Sequence, residues 1–334
     1  MPRLAFLGPQ ATFAQQALLS LPESRDAELL PYAGSTAALA AVRSGEADAA
    51  CVPFENSVEG GVPAVLDSLV CDPPLVIVRE VLLAVEFAVM VRPGTTAADV
   101  RTVASHPHGE AQTRHWLAAN LPAAEVKMSS STAEAAAQVA RGEVDAAVAA
   151  PLAARTHGLT ILAEDVADNA AAVTRFVLVC PPGPPPAPTS VDRTTLAATT
   201  ENRPGALLSV LTELAVRDID LTRIESRPIK GLRNEYWFHL DCTGHVAQPA
   251  MGEALAALHR RCLRVRYLGS YPRALEPANG ISATADKVAG LGDARPRSPE
   301  PVNGSSPEPV NGNSADRFVA AARWLDGVRA GSQA

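Results

Sequence analysis

The run Pro181-Pro182-Gly183-Pro184-Pro185-Pro186 constrains this chain more than any other feature, because no helix continues through it and no central strand tolerates its missing N–H groups. It reads as a stiff, extended linker over 181–192. The 334 residues should therefore fold as two units, 1–180 and 193–272, and a 47% hydrophobic composition suffices for a core in each. After Pro272 the composition shifts to Gly, Ser, Pro, Asn and Asp, and Ser298–Gly304 recurs as Ser306–Gly312. Such a repeat buries too little apolar surface to offset its ordering entropy, so 273–313 is expected to be disordered. Over 314–330, Ser314 should cap a short helix with Phe318, Ala321, Ala322, Trp324, Leu325 and Val328 on one face.

The formal net charge of -7, with no basic run, argues against a nucleic-acid partner. Cys51, Cys71, Cys180, Cys242 and Cys262 are scattered and lack a C-x-x-C pair, which suggests buried reduced thiols and neither disulfides nor zinc. The apolar stretch after Met1 is too short for a signal peptide, and Glu80 and Glu86 interrupt the best candidate for a membrane span. A cytoplasmic protein with no membrane association is expected.

Within the first unit, Ser35-Thr36-Ala37 opens an alanine-rich helix that ends at Gly45 and leads into the short apolar run 47–52. About 96 residues later Ser131-Thr132-Ala133 opens another, ending at Gly142 before 144–149. Each reads as a capped helix, a Gly stop and a short strand. Two such units imply two α/β lobes with a ligand cleft between them. The first copy runs out into Pro53-Phe54-Glu55-Asn56-Ser57, beyond the carboxyl end of its strand, where open α/β sheets bind ligands.

The second unit alternates strand and helix patterns: strand 193–200, helix 204–217, strands 219–230 and 234–243, helix 249–262 and strand 263–271. This βαββαβ order is the ferredoxin-like arrangement.

Several polar clusters fall at loop positions. Thr12, in Gly8-Pro9-Gln10-Ala11-Thr12-Phe13, could bind a ligand or simply cap a helix. Glu55, Asn56 and Ser57 in succession exceed what a turn needs, and Ser105 and Gln112 flank a short loop after the strand 102–104. His106 and His108 have no serine partner and, at i and i+2, make a poor metal pair. Thr174-Arg175-Phe176 opens a buried strand, and the Arg175 guanidinium could be either a bidentate carboxylate clamp or half of an internal salt bridge.

Asp168 with Thr174-Arg175-Phe176, Pro53–Ser57 with Gly60 and Gly61, Ser105-His106-Pro107, and Thr222-Arg223-Ile224-Glu225-Ser226-Arg227-Pro228 occur in the order found in prephenate dehydratases. Over about residues 1–272 the chain resembles that family; with no chorismate mutase segment ahead of Met1 it resembles the monofunctional type, and a closing Arg323-Trp324-Leu325 helix is similar to that of some actinobacterial members. The resemblance implies an α/β fold with a two-lobed, periplasmic-binding-protein type II-like catalytic domain followed by a ferredoxin-like ACT regulatory domain. Lobe 1 would hold about 1–76 and 160–180, and lobe 2 about 77–159. The family commonly has Gly at the position of Ala11 and Gln at that of His108.

The implied activity is the decarboxylative dehydration of prephenate to phenylpyruvate in L-phenylalanine biosynthesis, a carbon–oxygen lyase reaction with no cofactor or metal. By resemblance Thr174 polarises the departing hydroxyl and Arg175 clamps a carboxylate, with Glu55 as a competing proton donor. Asn56, Ser105 and Gln112 complete the catalytic set, and Thr12, Ser57 and Phe176 contact substrate, Phe176 mainly by packing. L-Phenylalanine would bind at Gly205, Ala206, Leu207 and Leu208 together with Glu225, Ser226, Arg227 and Pro228, between two ACT domains of a homodimer or homotetramer. An arogenate dehydratase and a non-catalytic amino-acid sensor are the alternatives.

Overall fold

The computed structural model describes residues 1–169, 171–274 and 314–332. The expected disorder of 273–313 falls, from 275 onward, outside them. The chain starts in the first lobe with β1 (Arg3–Leu7), α1 (Phe13–Leu19), β2 (Glu28–Tyr32), α2 (Ser35–Ser44), β3 (Ala49–Asn56), β4 (Gly60–Gly61), α3 (Pro63–Leu69) and β5 (Val76–Ala84). It then builds a second lobe from β6 (Ala88–Val91), β7 (Thr102–Ser105), α4 (Pro107–Ala111), α5 (Arg114–Asn120), β8 (Glu125–Met128), α6 (Thr132–Arg141), β9 (Ala146–Ala149), α7 (Pro151–His157) and β10 (Thr160–Ala163). Strand β11 (Val173–Cys180) returns to the first lobe.

The first sheet has the order β2-β1-β3-β11-β5, with β4 on β3; the second has the order β10-β6-β9-β7-β8. Parallel pairing of β1 with β2 and β3, each joined through a helix, gives the first lobe its α/β character. This corrects two expected lobe boundaries. Val76–Ala84 belongs to the first sheet, because β11 runs antiparallel between β3 and β5. Thr160–Ala163 belongs to the second sheet, where it pairs antiparallel with β6. The chain thus changes lobes just after Ala84 and just before Val173.

Residues 181–191 form neither helix nor strand. Beyond them lie β12 (Asp192–Thr199), α8 (Ala206–Ala215), β13 (Leu221–Pro228), β14 (Tyr236–Thr243), α9 (Pro249–Arg261) and β15 (Arg264–Pro272), in an antiparallel sheet of order β13-β14-β12-β15. One face of this sheet carries α8 and α9 over Leu196, Val210, Leu214, Leu240, Leu255 and Leu258. Its other face, through Trp237, Leu268 and Tyr271, joins the core of the first lobe at Leu39, Phe54, Leu66, Leu69 and Ile77. The two units therefore share apolar burial. Gly269 sits at φ +138 against the backbone of Ile77, where a Cβ would collide with the Ile77 carbonyl, so only glycine fits that crossing.

Helix α10 (Ser314–Ala330) docks on α9, burying Ala321, Leu325 and Val328 and stacking Trp324 on His259 at 4.8 Å. Phe318 and Ala322, expected on the buried face, are exposed, with Arg260 over the Phe318 ring. Cys51 and Cys242 are buried and Cys71 is exposed, a departure from the expectation for all five thiols. No described helix is long and apolar enough to cross a membrane.

Candidate active site

A cleft of about 610 Å³ opens between the lobes. The first lobe lines it with Thr12, Ser35, Asn56, Thr174 and Phe176, and the second with Phe87, His106, His108, Gln112, Ser131 and Thr132. No Lys or Arg is among these lining residues.

Pairing of β11 with β3 places Thr174 opposite Asn56. Asn56 Oδ1 accepts from the backbone N–H groups of Val58 (2.8 Å) and Glu59 (3.1 Å), which fixes the orientation of the amide. Its Nδ2 therefore faces Thr174 and donates to Oγ1 at 2.9 Å. With that oxygen already accepting, the hydroxyl hydrogen of Thr174, a residue only 9% exposed, is free to point into the cleft.

Arg175, the next residue, does not reach the cleft. Successive side chains on a strand point to opposite faces, so Arg175 turns toward the C-terminal sheet. There it donates to Asp241 at 2.6 Å, approaches Glu55 at 3.3 Å and Glu80 at 3.4 Å, and lies 4.5 Å from the centroid of the Phe54 ring. Of the two readings open from sequence, the structure has the internal salt bridge. Burial would raise the pKa of Asp241, but Arg175, Arg223 and Arg193 together hold its carboxyl below the usual range.

Glu55 lies on the same far side, 3.2 Å from Arg223 of the C-terminal sheet. A register shift between Arg175 and Phe176 accommodates Phe54 under the two guanidiniums, with Arg175 and Arg223 stacked 4.5 and 5.1 Å from its ring. Glu55, Ser57, Glu80, Arg175 and Arg193 instead border a separate cavity of about 410 Å³. Ser57 Oγ accepts from Val173 N at 3.0 Å and so serves the strand pairing.

Of the remaining expected residues, Gln112 and Phe176 line the cleft, and Thr12 does so while capping α1 and donating to the Leu7 carbonyl at 2.8 Å. Ser105 is fully buried beneath Gly109 and donates to the Val148 carbonyl at 3.1 Å, so it supports the cleft wall without lining it. Asp168 accepts from the first-turn N–H groups of α5, His115 at 3.1 Å and Trp116 at 3.2 Å. His106 Nδ1 accepts from His108 N, and burial followed by the neighbouring His108 lowers its pKa, against Glu59. His108 reaches across the cleft mouth to Glu59 at 3.3 Å. Ser35, Thr132 and the Glu59–His108 pair carried no sequence signal beyond the helix starts of the repeat.

A second pocket of about 500 Å³ sits at the start of α8. Gly205, Ala206, Leu207, Leu208 and Ser226 line it, whereas Glu225, Arg227 and Pro228 do not. Glu225 pairs with Arg223, and Arg227 pairs with Asp67 of the first lobe at 3.1 Å. Side chains alternate along β13, so only one set can face that pocket.

The prephenate dehydratase family model matches residues 4–183. A prephenate dehydratase of Mycolicibacterium vanbaalenii is 51% identical over 314 residues, covering 89% of this chain and all of that protein. Among solved structures, a prephenate dehydratase from Arthrobacter aurescens in complex with L-Phe has a TM-score of 0.76 at 44% identity, covering 81% of this chain and 90% of that one. GqqA, described as a novel type of quorum quenching acylase, has a TM-score of 0.73 at 33% identity, covering 81% of this chain and 97% of its own. With most of its length matched at this identity, and the two-lobed cleft in place, the chain belongs to the prephenate dehydratase family.

Proposed function

We propose that the cleft converts prephenate to phenylpyruvate, with Thr174 as the hydrogen-bond donor to the departing hydroxyl. In this reaction the bond from the ring to its carboxylate breaks and carbon dioxide leaves. The released electron pair aromatises the ring and expels the hydroxyl from the opposite carbon, and that oxygen takes up a proton to leave as water. Negative charge thus moves from the carboxylate to the departing oxygen.

Only interactions that strengthen along this path accelerate it. A donor aimed at the departing oxygen does so, and a full positive charge on the ring carboxylate would stabilise the state the reaction leaves. A cleft lined by Thr174, Asn56 and Gln112, with Arg175 facing elsewhere, fits this demand. The observation that carries the reading is the Asn56–Thr174 hydrogen bond, in which the threonine oxygen accepts and its proton is left for a partner in the cleft. Purified full-length protein incubated with prephenate should release phenylpyruvate, followed by its absorbance in alkali. No product would sink the assignment, and faster turnover of arogenate would reassign the substrate.

Phenylalanine regulation belongs to the same reading. The pocket at α8 offers a helix start for a carboxylate and the half-buried Phe238 and exposed Leu208 beside it. Strand β13 is the edge of its sheet, a surface suited to a second copy. Coupling to the cleft has contacts to run through: Arg223 on Glu55, beside Asn56; Asp241 on Arg175, beside Thr174; and Glu225 packed on Gly61, which lines the cleft. Phenylalanine at millimolar concentration should inhibit, and a dimer or larger should appear in sedimentation. Absence of both removes this part.

A further inference from the structure

The two lobes repeat one unit, a ten-residue helix closed by a left-handed Gly (Gly45 or Gly142), and the copies differ at the helix start. In α6, Ser131 occupies the N-cap position and its hydroxyl accepts from Glu134 N at 3.0 Å. In α2 that position is Gly34, and no side chain caps the helix. The cap expected there from sequence, Ser35, lies one residue later, inside the first turn. The first-turn N–H groups of α2 have no acceptor within the helix and none from a cap.

A second observation falls at the same place. Ser35 is 9% exposed and lines the cleft, and its hydroxyl has no hydrogen-bond partner among the described residues. The hydroxyl oxygen is reachable from the cleft, so a ligand bound there can pair with it. Unsatisfied donors and a helix dipole at one wall of a cleft without lysine or arginine among its lining residues form a site for an anion.

We infer that the open start of α2, with the Ser35 hydroxyl, is the subsite for the pyruvyl carboxylate of the substrate, the one that the reaction retains. This rests on the reading of the cleft as a prephenate site. A carboxylate that keeps its charge throughout is bound equally in ground and transition states, so the subsite sets KM and leaves kcat alone. The product keeps that carboxylate too, so phenylpyruvate uses the same contacts.

The test is Gly34→Asp, which supplies the missing cap from within the chain. Gly34 is extended (φ -168), and a Cβ there meets nothing within 4 Å, so the fold accepts the change. The new carboxylate occupies the N–H groups and repels the substrate. The expected result is a melting temperature no lower than that of the parent, a prephenate KM raised about tenfold or more and kcat within about twofold. The inhibition constant of phenylpyruvate rises by the same factor. Ser35→Ala, a smaller change, raises both constants by about three- to tenfold.

A folded Gly34→Asp variant with parental KM and inhibition constant, beside a parent that turns over prephenate, overturns the subsite and leaves the activity standing. A fall in kcat at constant KM overturns it as well. Should the parent not turn over prephenate, the activity reading fails first, and calorimetric titration with phenylpyruvate decides the subsite: binding lost in Gly34→Asp supports it, and equal or absent binding overturns it.

Discussion

The two faces of the β3–β11 pair carry opposite chemistry within a few ångströms of backbone. Toward the cleft the pair presents Asn56 and Thr174, neutral and joined by one hydrogen bond. Toward the C-terminal sheet it presents Glu55 and Arg175, which join Glu80, Arg193, Asp241 and Arg223 in a network of charges. The difference follows from what each face must do. Fixed charges hold two folded units in register, whereas charge that has to move through a substrate is best met by dipoles that do not trap it at the start.

Breaking the charged face should have the largest effect on stability. Arg175→Gln leaves Asp241, 1% exposed, without its nearest cation, and the cost is about 3–5 kcal/mol. Calorimetry should show a lower and broader melting transition as the C-terminal sheet loosens, and an unchanged transition would contradict the network. On the neutral face, Thr174→Ala should melt like the parent and lose about 100- to 1000-fold in kcat, the usual range for one transition-state donor. Near-parental turnover would remove Thr174 from the chemistry.

Acid sharpens the comparison through a histidine buried at the interface. His239, fully buried in β14 with neither ring nitrogen hydrogen-bonded among the described residues, has its pKa pushed down to about 4, by burial first and then by Arg223, with Asp241 and Asp67 opposing. The unfolded chain takes up this proton near the ordinary value of 6.5 and the folded chain only near 4. Stability is therefore full above pH 6.5 and falls toward pH 4, by roughly 3 kcal/mol in all. Urea unfolding between pH 7 and 4 measures it, and His239→Gln should flatten that slope. Glu55→Gln should have the smallest effect. Its carboxylate is 35% exposed and bridges Arg175 and Arg223, so about 1 kcal/mol of stability and less than about fivefold in kcat are at stake, with a weaker response to phenylalanine. A loss of 100-fold or more would return Glu55 to the role of proton donor.

Much of the architecture was legible because it rests on local rules. The proline run marks the break between the two units, the repeat reveals two lobes, and βαββαβ order follows from alternation within 80 residues. The strands of the third sheet lie within about two residues of their expected ends. The site was less legible, because the facing of a strand residue depends on which sheet lies behind it. Thr174 and Arg175 look alike in sequence, two polar residues at the mouth of an apolar strand. Their separation is decided by a C-terminal sheet whose Asp241 comes from 66 residues away. Ser105 misled for a similar reason, since Gly109 of the following helix covers it. The cap of α2 slipped by one residue because Ser35 resembles Ser131 in the repeat, yet the left-handed glycines, 45 and 142, align Ser35 with Thr132.

The division between the two faces is tested most directly by the KM for prephenate of folded Arg175→Gln protein, measured well below its melting transition. An interface residue predicts a KM within about threefold of the parent, accompanied by a lower melting temperature and an altered response to phenylalanine. A KM raised about 100-fold, with melting and phenylalanine response unchanged, would make Arg175 a substrate clamp and contradict the account.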